Sequence, residues 1–228
     1  KPKSKPKPKT SFIDDEVMQK SLNSNSPNYF VDFLASIWDY DVATSLAKKY
    51  NIGTSEYWNG ATVFWQVDKK NKIRSGKIML YNVSSGKRVK KPYNHINCIH
   101  SALKLDDFNL EQCYFGEHLL QDDLSKPIAL VESEKTAIIS SVFLPEFIWL
   151  AVGSVNNLNK AKTKALKGRN VVLIPDLKCF ELWNNKIPQL TKLATFRTCT
   201  LLETKATEQE KELGLDIADY LVQLKHNN

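Results

Sequence analysis

No run of about 18 apolar residues occurs in the 228-residue sequence, so no segment is expected to cross a membrane as a helix. The longest apolar stretches, Phe147–Val152 and Val171–Ile174, have the length of buried strands. No apolar run near the first residues has the form of a secretory leader. Cysteine is sparse. Cys98, Cys113, Cys179 and Cys199 form no CxxC pair, which argues against both a disulfide framework and a zinc ribbon. A reducing, cytoplasmic setting is the expectation. His95, Cys98 and His100 lie close together, with Cys113 and His118 downstream, but their spacing matches no usual zinc pattern, so no zinc is expected in this chain.

Acids are missing from one long stretch. Between Lys69 and Leu105 there is no Asp or Glu, while ten Lys and Arg residues occur there. If the segment is a hairpin, alternate residues share a face, so Lys70, Lys72, Arg74 and Lys87 could form one positive stripe. Such a stripe suits phosphates of DNA, RNA or nucleotides. The whole chain carries +7, of which the five lysines of residues 1–9 (KPKSKPKPK) supply most. That tail cannot bury apolar surface, and residues 1–10 are expected to be a basic, solvated linker.

What remains is ordinary for a globular protein: 42% hydrophobic and 25% charged residues, enough for one large or two small domains. Residues 11–50 read as helical, with Ser26 and Pro27 as a start signal and a second helix over about 41–50. Ala61–Val67 and Ile73–Tyr81 read as antiparallel strands around a polar turn. The second half alternates. Ile128–Glu132, Phe147–Val152, Val171–Asp176 and Thr198–Leu202 read as strands, separated by helices over 135–144, 157–167 and 179–194 and closed by one over 216–224. That rhythm predicts a mainly parallel sheet with both faces covered, preceded by an α+β part with antiparallel strands. The expected division is 11–124 and 125–228.

Ligands of open parallel sheets bind beyond the carboxyl ends of the strands. Two of the apolar strands end in an acid, Glu132 and Asp176. If the strands are neighbours, the carboxylates face one crevice, and their repulsion must be offset by a proton or by a hard cation such as Mg²⁺. Equally, acids at a helix start are favoured by the helix dipole. Both alternatives stay open on spacing alone.

At these residues the sequence resembles the Toprim domain, a metal-binding α/β fold of bacterial primases, topoisomerases and some nucleases. VESEKTA (Val131–Ala137) places Glu132 where that family has its first-strand glutamate, with Ser133 where Gly is common. The turn Ala151–Ser154 and the run Gly168–Leu173 also fit. The family's Asp-x-Asp is Asp176-Leu177-Lys178 here, and LDIADYL (Leu215–Leu221) resembles a later acidic motif with Asp216 and Asp219. YNIGTSEYW (Tyr50–Trp58), Val63–Asn82 and FGEHLL (Phe115–Leu120) are similar to the segment preceding Toprim in primase-like proteins of Bacteroidetes and their mobile elements.

The resemblance implies metal-dependent nucleotidyl transfer on a single-stranded template. Glu132 and Asp176 would be catalytic, and Mg²⁺ or Mn²⁺ would sit on Glu132, Asp176 and Asp216. Lys72, Arg74, Lys77, Lys87, Arg88 and Lys135 would meet phosphates of DNA, RNA or nucleotides. A helicase or relaxase of the same element is a possible partner. Lys178 departs from the pattern. Pointing inward it would replace the metal, making the chain a degenerate nucleic-acid-binding accessory; pointing outward it would leave Asp216 to supply the missing carboxylate. A nuclease using Glu134 or Lys135 is a third reading.

Overall fold

The computed structural model describes residues 8–226. Three helices come first: α1 (Asp15–Leu22), α2 (Tyr29–Ile37) and α3 (Tyr40–Lys49). Four strands follow, β1 (Ile52–Ser55), β2 (Ala61–Val67), β3 (Ile73–Met79) and β4 (Ile96–Cys98), with the short α4 (Ile99–Ala102) after them. They make an antiparallel sheet in sequence order. The second half runs β5 (Ile128–Val131), α5 (Glu134–Phe143), β6 (Ile148–Ala151), α6 (Lys160–Thr163), β7 (Asn170–Leu173), α7 (Phe180–Asn184), α8 (Ile187–Leu190) and β8 (Thr195–Thr198). Then come α9 (Leu201–Lys205), α10 (Glu208–Leu213) and α11 (Ile217–His226). Its four strands are parallel, in the order β6-β5-β7-β8. The expected class therefore holds: a parallel sheet with flanking helices, preceded by an α+β part.

Strand β2 explains why the antiparallel sheet is covered on both faces. Every one of its residues is buried. Because successive side chains alternate, Phe64 enters the core shared with the parallel sheet. Ala61, Val63, Trp65 and Val67 enter a second core with Ile13 and Met18, beneath α1. The indole of Trp65 donates to Ser21 Oγ at 2.8 Å, satisfying its one polar atom. Strands β5 and β6 are buried throughout, as a sheet sandwiched between helices requires.

Several boundaries differ from expectation for identifiable reasons. Helix α2 is capped by Asn28 rather than Ser26. Asn28 Oδ1 accepts from Val31 N and from Thr62 Oγ1, while its amide donates to Gly53 O and Thr54 Oγ1. A residue that ties the helix start to two strands outcompetes a local cap. The fourth parallel strand is Thr195–Thr198, not Thr198–Leu202. As an edge strand it alternates exposed and half-buried residues, so it lacks the apolar run that marks the others, and Leu201 and Leu202 begin α9 instead. The expected helix over 157–167 is the single turn of α6 between two short 3₁₀ turns. Residues 1–7 of the expected linker lie outside the described residues. Its remaining part is held: Asn109 Nδ2 donates to the carbonyls of Pro8 and Lys9, and Thr10 Oγ1 donates to Glu111.

The link between the sheets is fastened by Arg169, just before β7. Its guanidinium donates to the carbonyls of Leu120, Asp123 and Lys126 at 2.8–3.1 Å. Three otherwise unpaired backbone acceptors are thereby satisfied by one rigid fork.

Candidate active site

Strands β5 and β7 are neighbours, paired from Ile128↔Val171 to Leu130↔Leu173. The chain leaves β5 toward β6 on one side and returns to β7 on the other, so a crevice opens between their carboxyl ends. Glu132 follows β5 directly, and Asp176 follows β7. A cleft of about 490 Å³ lies there, lined by Glu132, Asp176, Asp216 and Asp219 on one wall and by Lys77, Lys87, Arg88 and Lys90 on the other.

The acidic wall is built from helix starts. Ser133 caps α5, accepting from Thr136 N at 3.1 Å, which frees Glu132 from a capping role. Asp216 precedes α11 and is buried; its Oδ1 accepts from Asp219 N at 3.1 Å and its Oδ2 from Thr136 Oγ1 at 2.6 Å. Asp219 returns the bond, accepting from Asp216 N at 3.0 Å, and its other oxygen lies 3.5 Å from Lys135 Nζ. Asp176 differs from both. Its Oδ1 is buried and has no hydrogen-bond partner. Burial, and then the neighbouring charges of Asp216, Glu132 and Asp219, push its carboxyl up to about 8. Burial also raises Glu132, against a backbone N–H from Val155 and the charges of Arg88 and Lys77. Burial raises Asp216 as well, opposed by Lys135.

The basic wall is held by the body of the fold. Lys77 lies on β3. Its Nζ donates to Glu134 Oε1 at 2.5 Å and to the Gly153 carbonyl at 2.9 Å. Glu134 is buried, so this pair is shielded from solvent. Gly153 has φ +80°, and a Cβ there would stand 3.1 Å from Lys77 Nζ and 3.2 Å from Glu134 Oε1. Only glycine accommodates both the backbone turn and the ion pair. Lys87 and Arg88 leave a turn in which Asn82 Oδ1 accepts from the amides of Ser84 and Ser85. Gly86 of that turn, φ +60°, sits against the ring of Phe33, with no room for a side chain. The two cations are thus carried on a loop anchored in the core, not on a free tip.

The arrangement brings together acids, of which Asp176 is short of a donor, and positive groups that can take phosphate. Asp176 is the observation by which a metal can be judged: a buried, unpartnered carboxylate oxygen among three other acids suits a hard divalent cation. Among the described residues, no three His, Cys, Asp or Glu side chains already form a compact metal cage.

A family model described as a domain of unknown function, DUF6371, matches residues 28–177. The chain belongs to the DUF6371 family. No curated protein matches it. Solved structures do match. The RNA polymerase domain of Mycobacterium tuberculosis primase DnaG aligns with a TM-score of 0.57 at 8% identity, over 92% of this chain and 79% of that one. A DnaG primase catalytic domain bound to ssDNA gives 0.51 at 13%, over 92% and 82%. The zinc-binding and RNA polymerase domains of Aquifex aeolicus primase give 0.51 at 12%, over 94% and 63%, so the chain spans less than two-thirds of that structure. At these identities the likeness is one of fold: this DUF6371 protein has the fold of a bacterial primase catalytic core.

The remaining sequence-derived candidates of the DUF6371 chain fall in three places. Lys77, Lys87, Arg88 and Lys135 all line the cleft. Lys72 and Arg74 do not, and the single stripe expected along the hairpin is divided. Lys72 is exposed at the β2–β3 turn. Arg74 Nε donates to Asp68 Oδ2 at 2.7 Å and lines a second groove with Lys69, Lys70, Glu117 and Lys162. Lys178 is exposed and left-handed, φ +76°, and its Nζ donates to the Glu212 carbonyl at 2.7 Å. Sequence reasoning missed Lys90 and Thr136. Lys90 stood in the acid-free stretch. Thr136 carried a signal in its position three residues after the cap Ser133, but nothing local pointed to its bond with Asp216.

Proposed function

We propose that the chain is a primase-type nucleotidyl transferase, using Mg²⁺ or Mn²⁺ to join nucleotides on a single-stranded template. The observation that carries this reading is Asp176 Oδ1, buried and without a donor, in a residue that lines one cleft with Lys77, Lys87, Arg88 and Lys90. A Toprim-like unit over 125–228 would carry the acids, and the α+β unit over 11–124 the cations. Asp176 and Glu132 would hold the metal, with Asp216 beside them. Once bound, it would neutralise charge developing on the phosphate oxygens and lower the pKa of the attacking hydroxyl.

The chain's own residues have separable tasks. Lys87, Arg88 and Lys90 neutralise the nucleotide's phosphates. Lys77 is already engaged by Glu134 and Gly153, so it braces the turn after β6 and adds its charge from there. Thr136 orients Asp216. Lys178 turns away to Glu212, leaving the crevice to the carboxylates; this favours an intact metal site over a degenerate one. The likeness to a primase domain bound to ssDNA supports a single strand as the template.

The test is template-directed extension with nucleoside triphosphates and Mn²⁺, alongside Mn²⁺ binding followed by electron paramagnetic resonance. Wild type should bind Mn²⁺ and extend. Asp176→Asn should weaken Mn²⁺ binding by about a hundredfold or more and abolish extension. Equal Mn²⁺ affinity in the two proteins would overturn the metal assignment.

A further inference from the structure

We propose that four aromatic rings outside the cleft, Tyr57, Trp58, His95 and Tyr93, form a stacking platform for the bases of a single-stranded nucleic acid. They make a continuous ladder. Tyr93 stacks on His95 with centroids 4.4 Å apart and planes 18° from parallel. His95 meets Trp58 edge-on at 5.1 Å, and Trp58 meets Tyr57 edge-on at 4.6 Å. The two outer rings are open to solvent: Tyr57 is 50% exposed and Tyr93 56%.

The ladder is rigid at its centre. Trp58 packs against the core beneath α1. His95 is pinned by its own backbone, whose N–H donates to Val89 O and whose C=O accepts from Leu80 N, and by its Nδ1 at 2.9 Å from Tyr93 O. The exposed ring of Tyr93, stacked on His95, can extend the stack in the way one base follows another. A base in a duplex has both faces covered, so the ring selects unpaired strands.

Charge identifies the occupant. Tyr93 and His95, at one end of the ladder, sit within the acid-free stretch, whose Lys90 lines the cleft and whose Lys91 is exposed two residues before Tyr93. Ile96, directly after His95, lines the cleft too. A strand stacked on Tyr93 would lay its phosphates along Lys91, Lys90 and Lys87 and enter the cleft at that edge. Glu56, beside Tyr57, accepts from Ser26 and marks the far limit of the platform. The platform deepens the template-using reading of the cleft and rests on it for its purpose, but its binding needs no chemistry.

The test is fluorescence anisotropy with labelled oligodeoxyuridylate and oligouridylate of equal length; because the bases are identical, the tighter one identifies the strand's sugar. Tyr93→Ala should weaken binding about tenfold and Tyr93→Phe should restore it. An oligonucleotide of the same length lacking bases should bind wild type and Tyr93→Ala equally, because only stacking is lost. Lys91→Ala should instead lower the salt dependence. Unchanged affinity in both Tyr93→Ala and Tyr57→Ala, or equal affinity for a duplex, overturns the platform. Wild type that binds in this way yet extends no primer overturns nucleotidyl transfer alone. Extension accompanied by unchanged binding in both Tyr93→Ala and Tyr57→Ala overturns the platform alone.

Discussion

Two grooves of this molecule are each lined by four lysines, one arginine and several carboxylates, yet they treat their charges in opposite ways. In the groove beside the β2–β3 turn, every oxygen of Asp68 is used. Its Oδ1 accepts from the amides of Lys70 and Lys72, and its Oδ2 from Arg74 Nε. Burial pushes that carboxyl up, but these donors outweigh it and hold it below the usual carboxylate range. In the cleft between the sheets, Asp176 is half-buried, its buried Oδ1 lacks a donor, and it is surrounded by other acids. A satisfied carboxylate stabilises the fold; an unsatisfied one is retained against stability and so marks the place for a ligand. The count of cations alone would not separate the two grooves.

The comparison can be broken most severely at Lys77. It belongs to the cleft but, like Asp68, its charge is spent, on Glu134. Lys77→Met should leave Glu134 buried without its cation and cost about 3 kcal/mol in urea unfolding. A loss below about 1 kcal/mol would mean that the pair is not the brace described above.

Next come the two aspartates, whose substitutions should differ in sign. Asp68→Asn should lower stability by about 2 kcal/mol, because three donors lose a charged acceptor. Asp176→Asn should raise metal-free stability at pH 8 by about 2 kcal/mol. The sign follows from the raised pKa. Between the ordinary carboxylate range and about 8, the folded protein keeps a proton that the unfolded chain releases, so stability falls as pH rises through that window. At pH 4 the advantage of Asp176→Asn should vanish. For Asp68, held low, the stabilisation should instead disappear as pH falls through the carboxylate range. Thermal melts of the two variants at pH 4 and pH 8 check both signs. Destabilisation by Asp176→Asn at pH 8 would remove the contrast.

The smallest effect is expected at Lys178. Its single bond reaches an exposed carbonyl, so Lys178→Ala should change stability by less than about 0.5 kcal/mol and leave Mn²⁺ binding at the wild-type value. Mn²⁺ binding tightened tenfold would show that the ammonium opposes the metal from closer than its position beside Glu212.

Most of the parallel sheet was legible because β5, β6 and β7 are short apolar runs, and Glu132 and Asp176 stand within three residues of the ends of two of them. β8 was misplaced because an edge strand shows no such run. Half of the site could be read for the same reason: acids at strand ends are local features. The basic wall was harder. Lys77 and Arg74 lie three residues apart on one strand, and nothing in the sequence tells which is consumed by Asp68 and which reaches Gly153. Asp68 opens the β2–β3 turn, six residues from Arg74, whereas Gly153 lies in the turn after β6, 76 residues from Lys77, a separation that no spacing rule encodes.

One continuous apolar core runs from Phe30 and Phe64 of the first half to Val131, Leu150 and Leu173 of the second. The two walls of the cleft are therefore rooted in the same packed interior. They cannot part and close like jaws without opening that interior to water. The cleft should behave as a fixed channel, with hydrogen exchange at β2 and at β5 slowed together and released only in a single global unfolding event. A strand and a nucleotide would have to fit a gap of set width, and speed would come from how fast they thread rather than from how fast the protein bends.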